Sequence, residues 1–162
     1  MNVDRASLIR IPRSTYLAIA LGYMGGIYIL SSISIPFDDI KHPNPVAFCA
    51  NLFHFPLYMG LAATLLMGLR AIDSEDGRIL KSGSIIAALV ILALYGAFDE
   101  YHQSWSGRTP SVLDFLVNIC GGICAVWALK YYVERSLSIQ RLVLFSTGII
   151  AVACVLAFYG MY

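Results

Sequence analysis

The chain has 162 residues, of which 59% are hydrophobic and only 13% are charged. Soluble domains carry about 25% charged residues, and a mean hydropathy of +0.73 leaves too few polar side chains to cover a water-facing surface. With 11 cations, 10 anions and a net charge of +1, the composition excludes a soluble enzyme, a disordered chain, a secreted disulfide scaffold and a basic nucleic-acid binder. An integral membrane protein remains.

Five apolar runs follow one another, each near the ~20 residues that a helix needs to cross hydrocarbon. They extend from about Thr15 to Ser32, Pro45 to Leu69, Ser82 to Phe98, Val112 to Val133 and Leu142 to Tyr159. Because the runs are continuous rather than alternating, a β-barrel is excluded. The predicted fold is all-α: one domain over residues 1–162, a bundle of five transmembrane helices.

The first run is preceded by Arg5, Arg10 and Arg13. It is longer than a signal-peptide core and lacks a clear cleavage site, so it reads as a retained helix. Ala18, Gly22 and Gly26 form a stripe at spacing four, the pattern that lets membrane helices approach closely; glycines without a packing role are the alternative. Asn44-Pro45 predicts a capped start for the second helix. Pro56 inside it removes an amide donor and strains the turn containing Leu52. Ser111 and Asp114 resemble a capping box at the start of the fourth helix, with Asp in place of Glu. Gly121, Gly122 and Ala125 predict a close-packing face on that helix. Phe158, Tyr159 and Tyr162 read as an aromatic belt. Cys49, Cys120, Cys124 and Cys154 contain no Cys-x-x-Cys pair and read as free thiols.

Cations set the expected topology. Arg5, Arg10 and Arg13 precede the first helix, and Lys41 alone follows it. Arg70, Arg78 and Lys81 lie in the second connection and Arg108 alone in the third. Lys130, Arg135 and Arg141 mark the fourth, and the tail has none. Such alternation predicts a cytoplasmic N-terminus and an outer C-terminus. Asp38, Asp39, Asp99, Glu100 and Asp114 then fall on the outer side, whereas Asp73, Glu75 and Asp76 read as a solvated cytoplasmic turn. His42 reads as a solvated histidine.

Polar residues gather at the same outer end. Ser31 and Ser32 close the first helix. Asn51, His54 and Tyr58 share a face of the second at spacings of three and four, and Tyr95, Asp99 and His102 do so on the third. Glu100 and Gln103 stand beside them, Arg108 follows in a short loop, and Asp114 and Asn118 open the fourth helix. Ionisable groups at membrane depth are costly, so the cluster is read as a site. Asp99, Glu100, His102 and His54 are its candidate catalytic residues. Arg108, Gln103, Asp114, Asn118, Tyr58 and Ser32 are its candidate binding residues. A metal version would use His54, His102, Glu100 and Asp114, but Glu100 and His102 diverge on a regular helix and no known zinc spacing is present. No metal ligand and no cofactor are therefore assigned.

Asp99-Glu100-Tyr101-His102-Gln103, then Gly107-Arg108, Asp114 and Asn118-Ile119-Cys120-Gly121, resemble the signature of the VanZ-like membrane protein family. Ser31-Ser32 before Pro36, and His54 with Tyr58, fit the same pattern. The family often has an Asp-Lys pair where this chain has Ala50-Asn51, and Pro-Gly-Arg where it has Ser106-Gly107-Arg108. The resemblance implies a cell-envelope role related to resistance to the glycopeptide teicoplanin; a reaction does not follow from it.

Three function classes fit these residues. One is a binding site for a lipid-linked or anionic envelope ligand at the outer face of the plasma membrane, with Arg108 as an anion clamp. The second is a lipid or phosphate-ester hydrolase or transferase, in which His102 or His54 moves a proton and Asp99 or Glu100 orients the imidazole. The third is a non-catalytic accessory or structural subunit of a membrane complex. Membrane lipids, an envelope ligand and other membrane proteins are the expected partners; nucleic acid is not.

Overall fold

The computed structural model describes residues 11–33, 45–69, 71, 81–134 and 138–159. Among these residues there are five helices and no strand: α1 (Arg13–Ser31), α2 (Pro45–Gly68), α3 (Ser82–Trp105), α4 (Val112–Glu134) and α5 (Ile139–Tyr159). All five contain a stretch long and apolar enough to cross a membrane, so the chain is a multi-pass membrane protein. Large apolar side chains such as Leu21, Leu94 and Leu144 point outward, where water would penalise them and lipid does not. Expectations placed on Arg5, Arg10, Pro36, Asp38, Asp39, Lys41, His42, Asn44, Arg70, Asp73, Glu75, Asp76, Arg78, Arg135 and Tyr162 lie outside the described residues.

Successive helices run up and down. Tyr23 meets Gly60 and Leu17 meets Gly68, which makes α1 and α2 antiparallel. Gly96 faces Phe115 and Asn118 while Gly122 faces Leu92, which does the same for α3 and α4. Helix α2 touches all four others, and its most extensive contact is with α4. The core therefore sits along α2, around Tyr58, Leu61, Ala62, Leu65 and Leu66. Helix α5 is peripheral; of its side chains only Ala153 and Ala157 are buried.

Gly121 explains the tight α2–α4 contact. A Cβ there would fall on the Phe55 carbonyl oxygen and 3.0 Å from the Met59 nitrogen, so only glycine lets the two backbones meet. Gly122 faces Leu92 and Leu89 of α3, and Ala125 is buried. The close-packing face expected on this helix is thus present. The stripe on α1 is different: Ala18, Gly22 and Gly26 are exposed, and a Cβ on either glycine would touch nothing within 4 Å. Contact with α2 is made instead by larger residues, Leu17, Tyr23 and Ile27. Close approach through the α1 stripe does not occur among the described residues.

Two further differences matter for the site. Helix α3 continues seven residues beyond Phe98, to Trp105, because polar side chains at a bundle end do not interrupt backbone hydrogen bonding. Trp105 is consequently the exposed last residue of a helix rather than part of a loop. Helix α2 runs unbroken through Pro56, and the four cysteines are free.

Candidate functional site

Up-and-down order brings the C-terminal ends of α1 and α3 to the N-terminal ends of α2 and α4. At this end Ser31, Asn51, His54, Asp99, Glu100, His102, Gln103, Asp114 and Asn118 are all buried. An α-helix turns about 100° per residue, so neighbouring residues at the end of α3 reach three different helices.

Asp99 points to α2. Its Oδ2 accepts from the Tyr58 hydroxyl at 3.2 Å and, within its own helix, from Gln103 Nε2 at 3.5 Å. His54 Nδ1 lies 3.8 Å from the same oxygen. Glu100 points to the start of α4, where its Oε2 accepts from the Ser111 amide at 2.9 Å; the positive end of the α4 dipole favours a carboxylate there. His102 points to α1, with Nε2 2.9 Å from Ser32 Oγ. Its ring stacks on Tyr28 at 4.0 Å between centroids and meets the edge of Trp105. Ser32 donates its own hydrogen to the Tyr28 carbonyl at 2.7 Å, so Nε2 of His102 is the donor in the serine bond. Tyr95 adds a fourth tie, from its hydroxyl to the Met24 carbonyl of α1.

Local geometry after α3 aims Arg108. Gly107 adopts φ +76°, a left-handed conformation that costs other residues about 1 kcal/mol or more. The Arg108 amide then donates back to the Gln103 carbonyl, the six-to-one bond of a Schellman turn. Ser111 Oγ caps α4 through the Asp114 amide at 3.2 Å, forming one half of the expected capping box. The reciprocal half is taken by Glu100 from another helix, so Asp114 does not close the box.

Several polar atoms at this end are buried without a hydrogen-bond partner among the described residues. They are His54 Nδ1, Glu100 Oε1, His102 Nδ1 and Asp114 Oδ1; the buried Asn118 amide interacts with His54. Each such atom costs about 1–3 kcal/mol, and folded proteins hold few of them. The Arg108 guanidinium, half-buried, also makes no ion pair or hydrogen bond with a described residue. It is near enough to act electrostatically on His54, Glu100 and Asp114. Together Arg108 and His54 line a cavity of about 200 Å³ whose other walls include Ile27, Leu30, Phe53 and Leu57.

The fold thus brings Asp99, His54, Tyr58 and Gln103 into one hydrogen-bonding neighbourhood and sets Glu100, Asp114, Asn118 and Arg108 around it. His102 and Ser32 form a separate pair against α1. Neither carboxylate orients the His102 ring; Ser32 does. One group is arranged as a metal site could be: His54, Asp99 and Glu100 each offer a ligand atom within 4.8 Å of the others. This differs from the ligand set weighed in the sequence, because α3 stays helical and turns His102 away from Glu100. Tyr28 and the Ser111 amide were missed as partners. The first is an ordinary aromatic in an apolar helix, and the second carries no side-chain signal at all.

No curated protein and no solved structure matches the chain. A family profile described as VanZ/LLP1 matches residues 20–137, a span that takes in the whole polar end from Tyr28 to Asn118. That match covers most of the sequence, and the chain belongs to the VanZ/LLP1 family.

Proposed function

We propose that the polar end binds the anionic headgroup of a cell-envelope lipid or lipid-linked precursor at the outer face of the plasma membrane. The observation that carries this reading is the shared cavity of Arg108 and His54, in which a guanidinium without an ion pair or hydrogen bond to any described residue lines a largely apolar pocket. An arginine fork suits phosphate or carboxylate, and apolar walls suit the adjoining hydrocarbon. Size favours a headgroup over a whole glycopeptide: pockets for drug-sized ligands span roughly 300–1,000 Å³, and this one is about 200 Å³. The outer location rests on the alternating cation counts of the connections. His54 is the histidine that lines the pocket, whereas His102 is engaged with Ser32. The link to teicoplanin resistance then follows from handling an envelope component rather than the drug.

A direct test uses the protein in phosphatidylcholine nanodiscs, titrated with a short-chain lipid phosphate monoester. Saturable binding is expected, and Arg108→Gln should weaken it about 10- to 100-fold, since hydrogen bonds to charged groups contribute about 1.5–3 kcal/mol. Unchanged affinity in the variant, or no saturable binding by the wild type, would sink the reading.

A further inference from the structure

Asp99, Glu100 and Asp114 are all at least nine-tenths buried, at 1%, 6% and 4% exposure. Among the described residues the guanidinium of Arg108 is the cation that acts on Glu100 and Asp114, and Asp99 has the His54 ring beside it. Carboxylates in that setting require either protons or a compensating cation. The arrangement of free atoms favours the cation. Glu100 commits Oε2 to the Ser111 amide and keeps Oε1 without a partner among the described residues. His54 is 8% exposed, and its Nδ1 is likewise unpartnered, 3.8 Å from Asp99 Oδ2. Two donors, Tyr58 and Gln103, hold Asp99 in orientation, as hydrogen bonds around metal-binding carboxylates do.

We infer that His54, Asp99 and Glu100 bind a divalent transition-metal ion, of the Zn²⁺ or Mn²⁺ type. Ligand atoms bound at about 2.1 Å in a tetrahedron lie about 3.4 Å apart, close to the 3.8 Å between His54 and Asp99, so small side-chain rotations close the site. One imidazole with two carboxylates selects zinc or manganese over calcium and magnesium, which prefer oxygen alone. Asn118, whose amide interacts with His54, offers a further oxygen. His54 also lines the cavity, whereas Asp99 and Glu100 do not, so the ion would lie behind the wall that His54 forms. The ligand set is independent of the anion reading and is tested without any phosphate.

The full chain, purified in detergent and stripped with a chelator, is titrated with Zn²⁺ or Mn²⁺ alone, desalted and assayed for metal. About one ion per chain is expected in the wild type and in His102→Phe, which keeps an aromatic ring against Tyr28. His54→Ala and Glu100→Gln should retain less than about a tenth as much. A wild type that retains no metal overturns the inference, as does equal retention in His54→Ala and Glu100→Gln. Should those variants fail to fold, pulsed EPR of the Mn²⁺-loaded wild type decides: coupling to one directly bound imidazole nitrogen is expected, and its absence refutes the site.

Discussion

At Gly121 the backbones of α4 and α2 meet with no side chain between them. One turn earlier on α4, Asn118 occupies the same contact with a fully buried amide beside His54. Below this point the bundle is held by shape: glycine against backbone, and Leu92 into the space left by Gly122. Above it, α3 is tied by hydrogen bonds to α1, α2 and α4, and atoms without a partner among the described residues remain between the ties. The seam uses every contact for packing. The polar end leaves hydrogen-bonding capacity unspent, which is what a ligand or ion site requires and a purely structural network does not.

The strongest way to break the seam is Gly121→Ala. Its methyl group would collide with the Phe55 carbonyl, and backbone cannot rotate away as a side chain can. Overpacking costs typically 1–3 kcal/mol, and about 3 kcal/mol is expected here, read as a large drop in melting temperature in detergent. Since Phe55 adjoins His54, the same change should also weaken ligand or metal binding. Melting unchanged by this substitution would mean that α2 and α4 do not touch at Gly121.

A smaller loss is expected from the polar end. Tyr58→Phe removes a fully buried hydroxyl that donates to Asp99 and leaves Gln103 as a distant donor at 3.5 Å. Bonds to carboxylates contribute about 1.5–3 kcal/mol, so about 2 kcal/mol is expected in the same melt. If Tyr58→Phe were neutral while Asp99→Ala were severe, another group would be compensating Asp99. The contrast between the two regions then sharpens, because Arg108→Gln should cost less than Tyr58→Phe: its guanidinium makes no ion pair or hydrogen bond with a described residue and acts on Glu100 and Asp114 only through space.

Reading the sequence recovered the five membrane-length helices of the described residues and most of their limits, because an apolar run of membrane length has few alternatives. The polar faces of α2 and α3 were legible too, at spacings of three and four, and so was the common end at which they gather. Rotation about each helix axis was not. In a soluble bundle the outward face is polar and announces itself; in lipid both faces are apolar, so the Ala18, Gly22 and Gly26 stripe looked as much like an interface as Gly121 and Gly122 did. Pairing was hidden for the same reason. Asp114 stands at the capping position by local spacing, yet Glu100, from another helix, takes the Ser111 amide. Choosing between Asp99 and His102 as the neighbour of His54 required knowing that α3 stays helical through Trp105.

The stripe on α1 supplies the last and smallest test. Gly22 meets nothing within 4 Å, and an interior helical glycine is about 0.5–1 kcal/mol worse than alanine through backbone entropy alone. Gly22→Ala is therefore expected to be neutral or to raise stability by about 0.5 kcal/mol, opposite in sign to Gly121→Ala. The two substitutions are chemically identical and both lie in membrane helices, so the difference isolates helix rotation from residue type. A loss of stability at Gly22 comparable to that at Gly121 would show that the outward face of α1 is packed in the membrane. The comparison would then lie between a seam within the chain and a seam between chains.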